Sequence, residues 1–145
     1  MAASFWRRMP AALLALPLLG AGEPLSQVEL TFDNLRNERG VLRVCVTADP
    51  RHFPDCQQDA GAISRSVPAS TRSLSLRLAP GTYAVSLVHD ENGNGKLDTL
   101  LGIPREGFAF SRNPAIRFGP PRFDEASFRV GDEVTLQTLR VRYLL

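Results

Sequence analysis

The chain has 145 residues, with 17 Lys or Arg against 15 Asp or Glu and a formal net charge of +2. That length suits one domain with a core of its own. The near balance of charge gives no electrostatic support to a nucleic-acid role.

Residues 1–21 read as a secretory signal peptide. Arg7 and Arg8 make a positive start, Ala11 to Leu19 a short apolar run, and Gly20-Ala21-Gly22 a small-residue cleavage region. The run is too short to span a bilayer comfortably, and no second one follows. The mature chain, residues 22–145, is therefore expected to be a single β-sandwich domain without a transmembrane segment, periplasmic or secreted. Arg7 and Arg8 leave with the signal, so 15 of the 17 bases remain against 15 acids.

Gln27 to Leu35 opens with period-two alternation. Val28, Leu30 and Phe32 share one face and Gln27, Glu29 and Thr31 the other, the pattern of a half-buried strand. Residues 36–40 read as a hairpin connection, with Gly40 at a left-handed position. A second strand runs from Val41 to Ala48, with Leu42, Val44 and Val46 inward and Arg43, Cys45 and Thr47 outward. Cys45 and Cys56 are the only cysteines. In an oxidising compartment an even pair reads as a disulfide; zinc would want more ligands than the nearby His52. Cys45 would staple the loop 49–61 to the outer face of its strand, with Phe53 as a plug.

Further strands are expected at 62–67, 73–78 and 82–88. The last is apolar on both faces, as in a central strand. It leads into His89-Asp90-Glu91-Asn92-Gly93-Asn94-Gly95-Lys96-Leu97-Asp98. Calcium takes six to eight oxygens, which a loop supplies from alternate residues. With Asp90 at position 1, Asn92, Asn94 and Asp98 offer side-chain oxygens at 3, 5 and 9, and Lys96 its carbonyl at 7. Gly95 at position 6 permits the sharp turn, and Leu97 would anchor the loop to a core. Position 12 is Leu101 where an EF-hand has Glu, so few carboxylates face the ion and the affinity expected is roughly 10⁻⁴–10⁻³ M. Glu106 or Asp124 could complete the shell. The competing reading is a bare polar turn, which Asn-Gly-Asn-Gly also favours. His89 is expected to hold the loop by a hydrogen bond at the strand end.

Residues 99–124 are expected to be irregular, broken by glycines and prolines. Phe108, Phe110, Phe118 and Phe123 alternate with Arg105, Arg112, Arg117 and Arg122. Phe108, Phe110, Arg112, Arg117 and Phe118 could line a face for an anionic or sugar ligand. Alternatively, the rings pin a long loop while the arginines stay solvated, which is the simpler expectation. Ala126 to Val130 reads as a strand. The last strand places Val134 and Leu136 inward, then Leu139, Val141 and Tyr143, and this change of parity predicts a β-bulge near Thr138.

The run from Leu78 to Val85, the loop at 89–98, Leu101-Gly102-Ile103-Pro104-Arg105-Glu106-Gly107-Phe108 and Phe118-Gly119-Pro120-Pro121 together closely resemble the bacterial secreted domain-of-unknown-function family 2141, over about Val28 to Arg142. The resemblance implies no particular activity. The Pro80-Gly81-Thr82-Tyr83 approach also resembles transthyretin-like and carboxypeptidase-regulatory-like sandwiches, and the loop resembles calcium-binding repeats of bacterial surface proteins. These likenesses imply an all-β, immunoglobulin-like or transthyretin-like antiparallel sandwich of about seven strands.

Two histidines in all, and no Gly-x-Ser-x-Gly elbow, argue against a hydrolase. His52 with Asp55 or Asp59, and His89 with Asp90, are weak dyads. The function expected is a non-enzymatic secreted module, calcium-stabilised, that binds an envelope or surface partner. The alternative is a small-ligand or glycan carrier built on residues 105–123, which a pocket lined by Phe108, Phe110 and Phe118 would favour.

Overall fold

Val28, Leu30 and Phe32 turn inward from the first strand as their spacing predicts, and the same period two organises most of the chain. A computed structural model describes residues 20–145. In chain order the elements are β1 (Ser26–Asp33), β2 (Val41–Thr47), β3 (Ile63–Pro68), β4 (Ser73–Leu78), β5 (Gly81–Asp90), β6 (Thr99–Leu100), β7 (Ile103–Pro104), β8 (Gly107–Phe110), α1 (Phe123–Ala126), β9 (Phe128–Val130) and β10 (Thr135–Arg140). The signal peptide expected at residues 1–21 lies outside the described residues, apart from the exposed Gly20 and Ala21.

The architecture is all-β. The smaller sheet has the order β10-β1-β4, the larger β3-β2-β5-β8, with β9 pairing the start of β5. Every pairing is antiparallel except that of β1 with β10. Both sheets contribute to one core: Val28, Leu30, Leu76 and Leu139 from the first, and Leu42, Val44, Val85 and Leu87 from the second. This layering is sandwich-like.

A separate apolar cluster lies on the opposite face of the larger sheet. Ala84, Phe108, Phe110 and Ala126 form it, with Phe53, Ile116 and Phe123 packed against them. Phe53 is the expected plug, edge-on to Phe110 at 5.8 Å and to Phe123 at 6.0 Å between ring centroids.

Several expectations are corrected. Residues 36–40 do not form a hairpin connection, because β1 and β2 belong to different sheets and the segment crosses between layers. Gly40 does adopt φ +70°, and a Cβ there would collide with the Asp90 carbonyl oxygen. Residues 99–124 are less irregular than their glycines and prolines suggest. They contain the β6–β7 hairpin, the start of α1 and β8, whose four residues are all buried. The strand expected at 126–130 begins only at Phe128, because Ala126 closes α1. No bulge occurs near Thr138: β10 pairs with β1 in one unbroken register, from Val28 opposite Thr135 to Asp33 opposite Arg140. Thr135, Gln137 and Leu139 therefore share the inward face. Val134 and Leu136 do not point inward, and Leu136 is 71% exposed.

Cys45 and Cys56 form the expected disulfide, with Cα atoms 5.7 Å apart. It pins the 49–61 loop to the outer face of β2. The Ser86 hydroxyl assists by donating to the Pro54 carbonyl at 2.6 Å. Closing so short a loop stabilises by at most about 3 kcal/mol. Reduction should therefore lower the melting temperature while the protein stays folded at 25 °C, as circular dichroism with and without reductant will check.

Candidate metal loop and the groove beside it

β5 ends in two polar residues that are fully enclosed, His89 and Asp90. The Arg39 carbonyl can only accept, so His89 Nε2, 2.8 Å away, carries the proton. Nδ1 then accepts from the Tyr143 hydroxyl at 2.8 Å, and that oxygen accepts the Arg36 backbone N–H at 3.1 Å. His89 thus ties β5 to the crossing segment and to the C-terminal segment, as its place at the strand end predicts. Tyr143 packs over Gly107, where a Cβ would strike its ring. Burial, above all, raises the Tyr143 pKa.

Asp90 is 1% exposed. Its Oδ1 accepts the Asn94 N–H at 3.1 Å and its Oδ2 the Gly95 N–H at 2.8 Å, so its carboxylate draws the loop backbone around itself. Gly93 and Gly95 take positive φ, which makes the turn. The side-chain amides of Asn92 and Asn94 both donate to the Asp98 carboxylate, at 2.7 and 2.9 Å. Those bonds, Asn94 first, hold Asp98 below the usual carboxylate range. The structure therefore brings together Asp90, Asn92, Asn94 and Asp98. Lys96 joins them through its backbone, its N–H donating to Asn94 Oδ1 at 2.9 Å.

Of the two acids that could complete a calcium shell, Glu106 is the one that touches the loop. It is 4% exposed, accepts the Glu91 N–H through Oε1 and the Asp98 N–H through Oε2, both at 3.1 Å, and so clamps the two ends of the loop. Asp124 instead pairs with Arg122 at 2.8 Å in α1. Leu101, at the EF-hand's position 12, sits at the tip of the β6–β7 hairpin with φ +51°. The donor set is hard oxygen and so suits a hard cation such as calcium. Two details count against a finished site. The Asn92 and Asn94 amides present nitrogen to Asp98, so both would have to turn to offer oxygen. In addition, no group of three or more His, Cys, Asp or Glu among the described residues is arranged to hold a metal. Leu97 enters neither core; it is partly exposed and faces a groove.

Glu91 faces away from the loop interior. Arg36 reaches it at 2.6 Å and Arg39 at 3.2 Å, and the Asn37 amide donates at 2.9 Å. Arg36 also stacks over the Tyr143 ring, 4.4 Å from its centroid. Burial pushes the Glu91 carboxyl up, but the hydrogen bonds from Asn37 and Arg36 and the Arg36 charge act against it, and the net shift is downward.

The Phe/Arg segment divides. Phe108 and Phe110 are buried in the floor of a groove of about 540 Å3, and Arg117 and Phe118 stand on its rim, Phe118 fully exposed. Arg112 is not part of the lining; its guanidinium donates to the Asp124 and Ser127 carbonyls at 3.4 and 3.3 Å and ties α1 down. The hairpin 99–104 forms the opposite wall, with Leu101 95% exposed beside it. A single sequence could not reveal the groove, because its walls come from segments far apart in the chain.

His52 pairs with Asp49 at 3.1 Å rather than with Asp55 or Asp59. Asp49 lies well below the usual range, chiefly through Arg51, and Asp59 is lowered chiefly by the Thr47 hydroxyl. No helix among the described residues is long and apolar enough to cross a membrane.

Glu106→Ala leaves the Glu91 and Asp98 amides without their acceptor and should cost about 1–3 kcal/mol, measured by urea unfolding. Glu91 gives a pH signature. Its folded pKa lies below the ordinary 4.5, so its contribution is complete above that value and is lost as pH falls through the lowered one. Glu91→Gln should flatten the acid limb of stability against pH and leave the neutral limb parallel to wild type.

Comparisons with curated proteins and with solved structures gave no match. A family model does match, over residues 30–138, and this span includes the loop, the Glu106 clamp and the groove floor. The chain belongs to the bacterial family described as "Uncharacterized protein conserved in bacteria (DUF2141)".

Proposed function

We propose that this protein is a non-enzymatic module, exported to the periplasm or beyond, whose loop at 90–98 takes up calcium and so stiffens the face it presents to an envelope or surface partner. The observation that carries this reading is the enclosure of two carboxylates, Asp90 and Glu106, at the root of an oxygen-rich loop. Each accepts backbone N–H groups and keeps lone pairs for a cation. The disulfide supports an oxidising compartment. Both histidines are engaged structurally, His89 by Tyr143 and Arg39 and His52 by Asp49, which favours a binding role over catalysis. Leu100, Leu101, Ile103 and Phe118 offer an exposed apolar rim of the kind that marks interaction surfaces.

One observation favours a second reading, the small-ligand carrier: Phe108, Phe110 and Phe118 line the same groove. Its size falls within the roughly 300–1,000 Å3 of small-molecule sites.

Thermal unfolding in EDTA, across a calcium series and with magnesium as control, tests the first reading. At 100 times its dissociation constant calcium should add about 2.7 kcal/mol, and Asp90→Ala or Asp98→Asn should abolish the gain. Asp98 is partly exposed and makes no core contact, so its variant remains informative if Asp90→Ala fails to fold. An unchanged melting temperature in wild type would reduce the loop to a polar turn.

A further inference from the structure

We propose that the outer face of the larger sheet binds an amphipathic anion, its apolar chain lying over Phe108 and Phe110 and its acidic head at Arg43 and Lys96. This rests on the carrier reading and adds the chemistry of the ligand to it.

Strand register lays out the surface. Across the outer face, Ser66 stands opposite Arg43, Arg43 opposite Val88, and Val88 opposite Phe108. The next row reads Ser64, Cys45, Ser86, Phe110. Both rows run from polar at β3 to aromatic at β8. Arg43 and Phe108 lie two strand spacings apart, about 10 Å. The face thus carries a gradient of polarity that is absent from any one strand.

Two hollows follow that gradient. The apolar groove of about 540 Å3 adjoins a polar one of about 490 Å3, and they share Pro54, Ser86, Val88 and Leu97. The polar hollow is lined by Arg43 and Lys96 and walled by the disulfide-pinned loop at Asp55, Cys56 and Gln57. Arg117 borders the apolar one. Across both linings three cations face a single carboxylate, Asp55. Among the described residues none of Arg43, Lys96 and Arg117 forms an ion pair. An anionic head would supply the missing partner.

The floor argues for a hydrocarbon chain over a sugar. Val88, Phe108 and Phe110 bring no hydrogen-bonding side chain, and the Ser86 hydroxyl is already committed to the Pro54 carbonyl. A glycan's hydroxyls would lose water there without replacement, whereas a methylene chain gains with each group it buries. The concavity, with cations inside the hollow, fits a single molecule better than a bilayer surface.

The test is calorimetric titration of the mature protein with decanoate and with decanol below micelle formation, with phosphatidylglycerol vesicles as a third arm. Decanoate should bind one to one and about tenfold tighter than decanol, the scale of a charge-assisted contact. The double variant Arg43→Gln, Lys96→Gln should remove that preference and leave decanol binding unchanged. Phe118→Ser, at a fully exposed position, should weaken both ligands alike. Equal affinity for the two, or a double variant that still prefers decanoate, overturns the placement of the head while the carrier reading stands. Binding of neither overturns both. Binding to vesicles without binding of decanoate overturns the proposal in favour of a membrane-surface role.

Discussion

β5 is hydrogen-bonded along both edges, and most of what matters in this protein depends on that. On one side it pairs with β2 from Thr47 to Val41. On the other it meets β9 at its start and β8 toward its end. Ser111 fills the gap between them. Its N–H donates to the Val85 carbonyl, its Oγ accepts the Val85 N–H, both at 2.9 Å, and the same hydroxyl donates to the Ala126 carbonyl at 2.5 Å. A strand held in this way cannot slip by a residue without turning Val85 and Leu87 out of the core.

That rigidity is passed to the loop. Where β5 leaves the sheet its polar residues are still enclosed, and enclosed polar atoms must be paired. His89 turns to Arg39 and Tyr143, Asp90 to the loop backbone, and Glu106 arrives from before β8 to close the ends. No buried side-chain nitrogen or oxygen among the described residues lacks a partner. The loop is therefore pre-formed at its root, and Asn92, Asn94 and Asp98 tie its outer part together. Such an arrangement lowers the ordering cost of capturing a cation or of supporting a neighbouring surface.

The outer face of the larger sheet is the other product of β5. Alternation sends Val85 and Leu87 to the shared core and Ser86 and Val88 to the groove floor. The 90–98 loop borders both hollows: Leu97 lines each of them, and Gly95 and Lys96 line the polar one as well. Any ion that fixes the loop therefore fixes one wall of the groove. The disulfide fixes another, because Cys45 lies in the floor and Cys56 in the wall. On the proposed reading, metal loop, disulfide and ligand groove would be parts of one surface.

The strands with clean period-two alternation were legible: Val28 to Phe32, Leu42 to Val46, and β4, whose bounds match the expectation. So were the disulfide, the plug at Phe53 and the anchoring role of His89. β10 misled because Val134 and Leu136 are apolar but do not point inward, and a solvent-facing leucine leaves the same mark as a buried one. β8 was hidden among glycines and prolines, since its four residues are buried by partners distant in the chain. By itself the sequence determined which residues face together along the cleanly alternating strands and which oxygens the loop can offer, because these depend on neighbours a few bonds away. The tertiary structure alone decided that the first two strands belong to different sheets, that Glu106 clamps the two ends of the loop, and that the hollow lined by Arg43 and Lys96 adjoins the one floored by Phe108. Those depend on which backbone edges and buried polar groups satisfy one another across the whole chain.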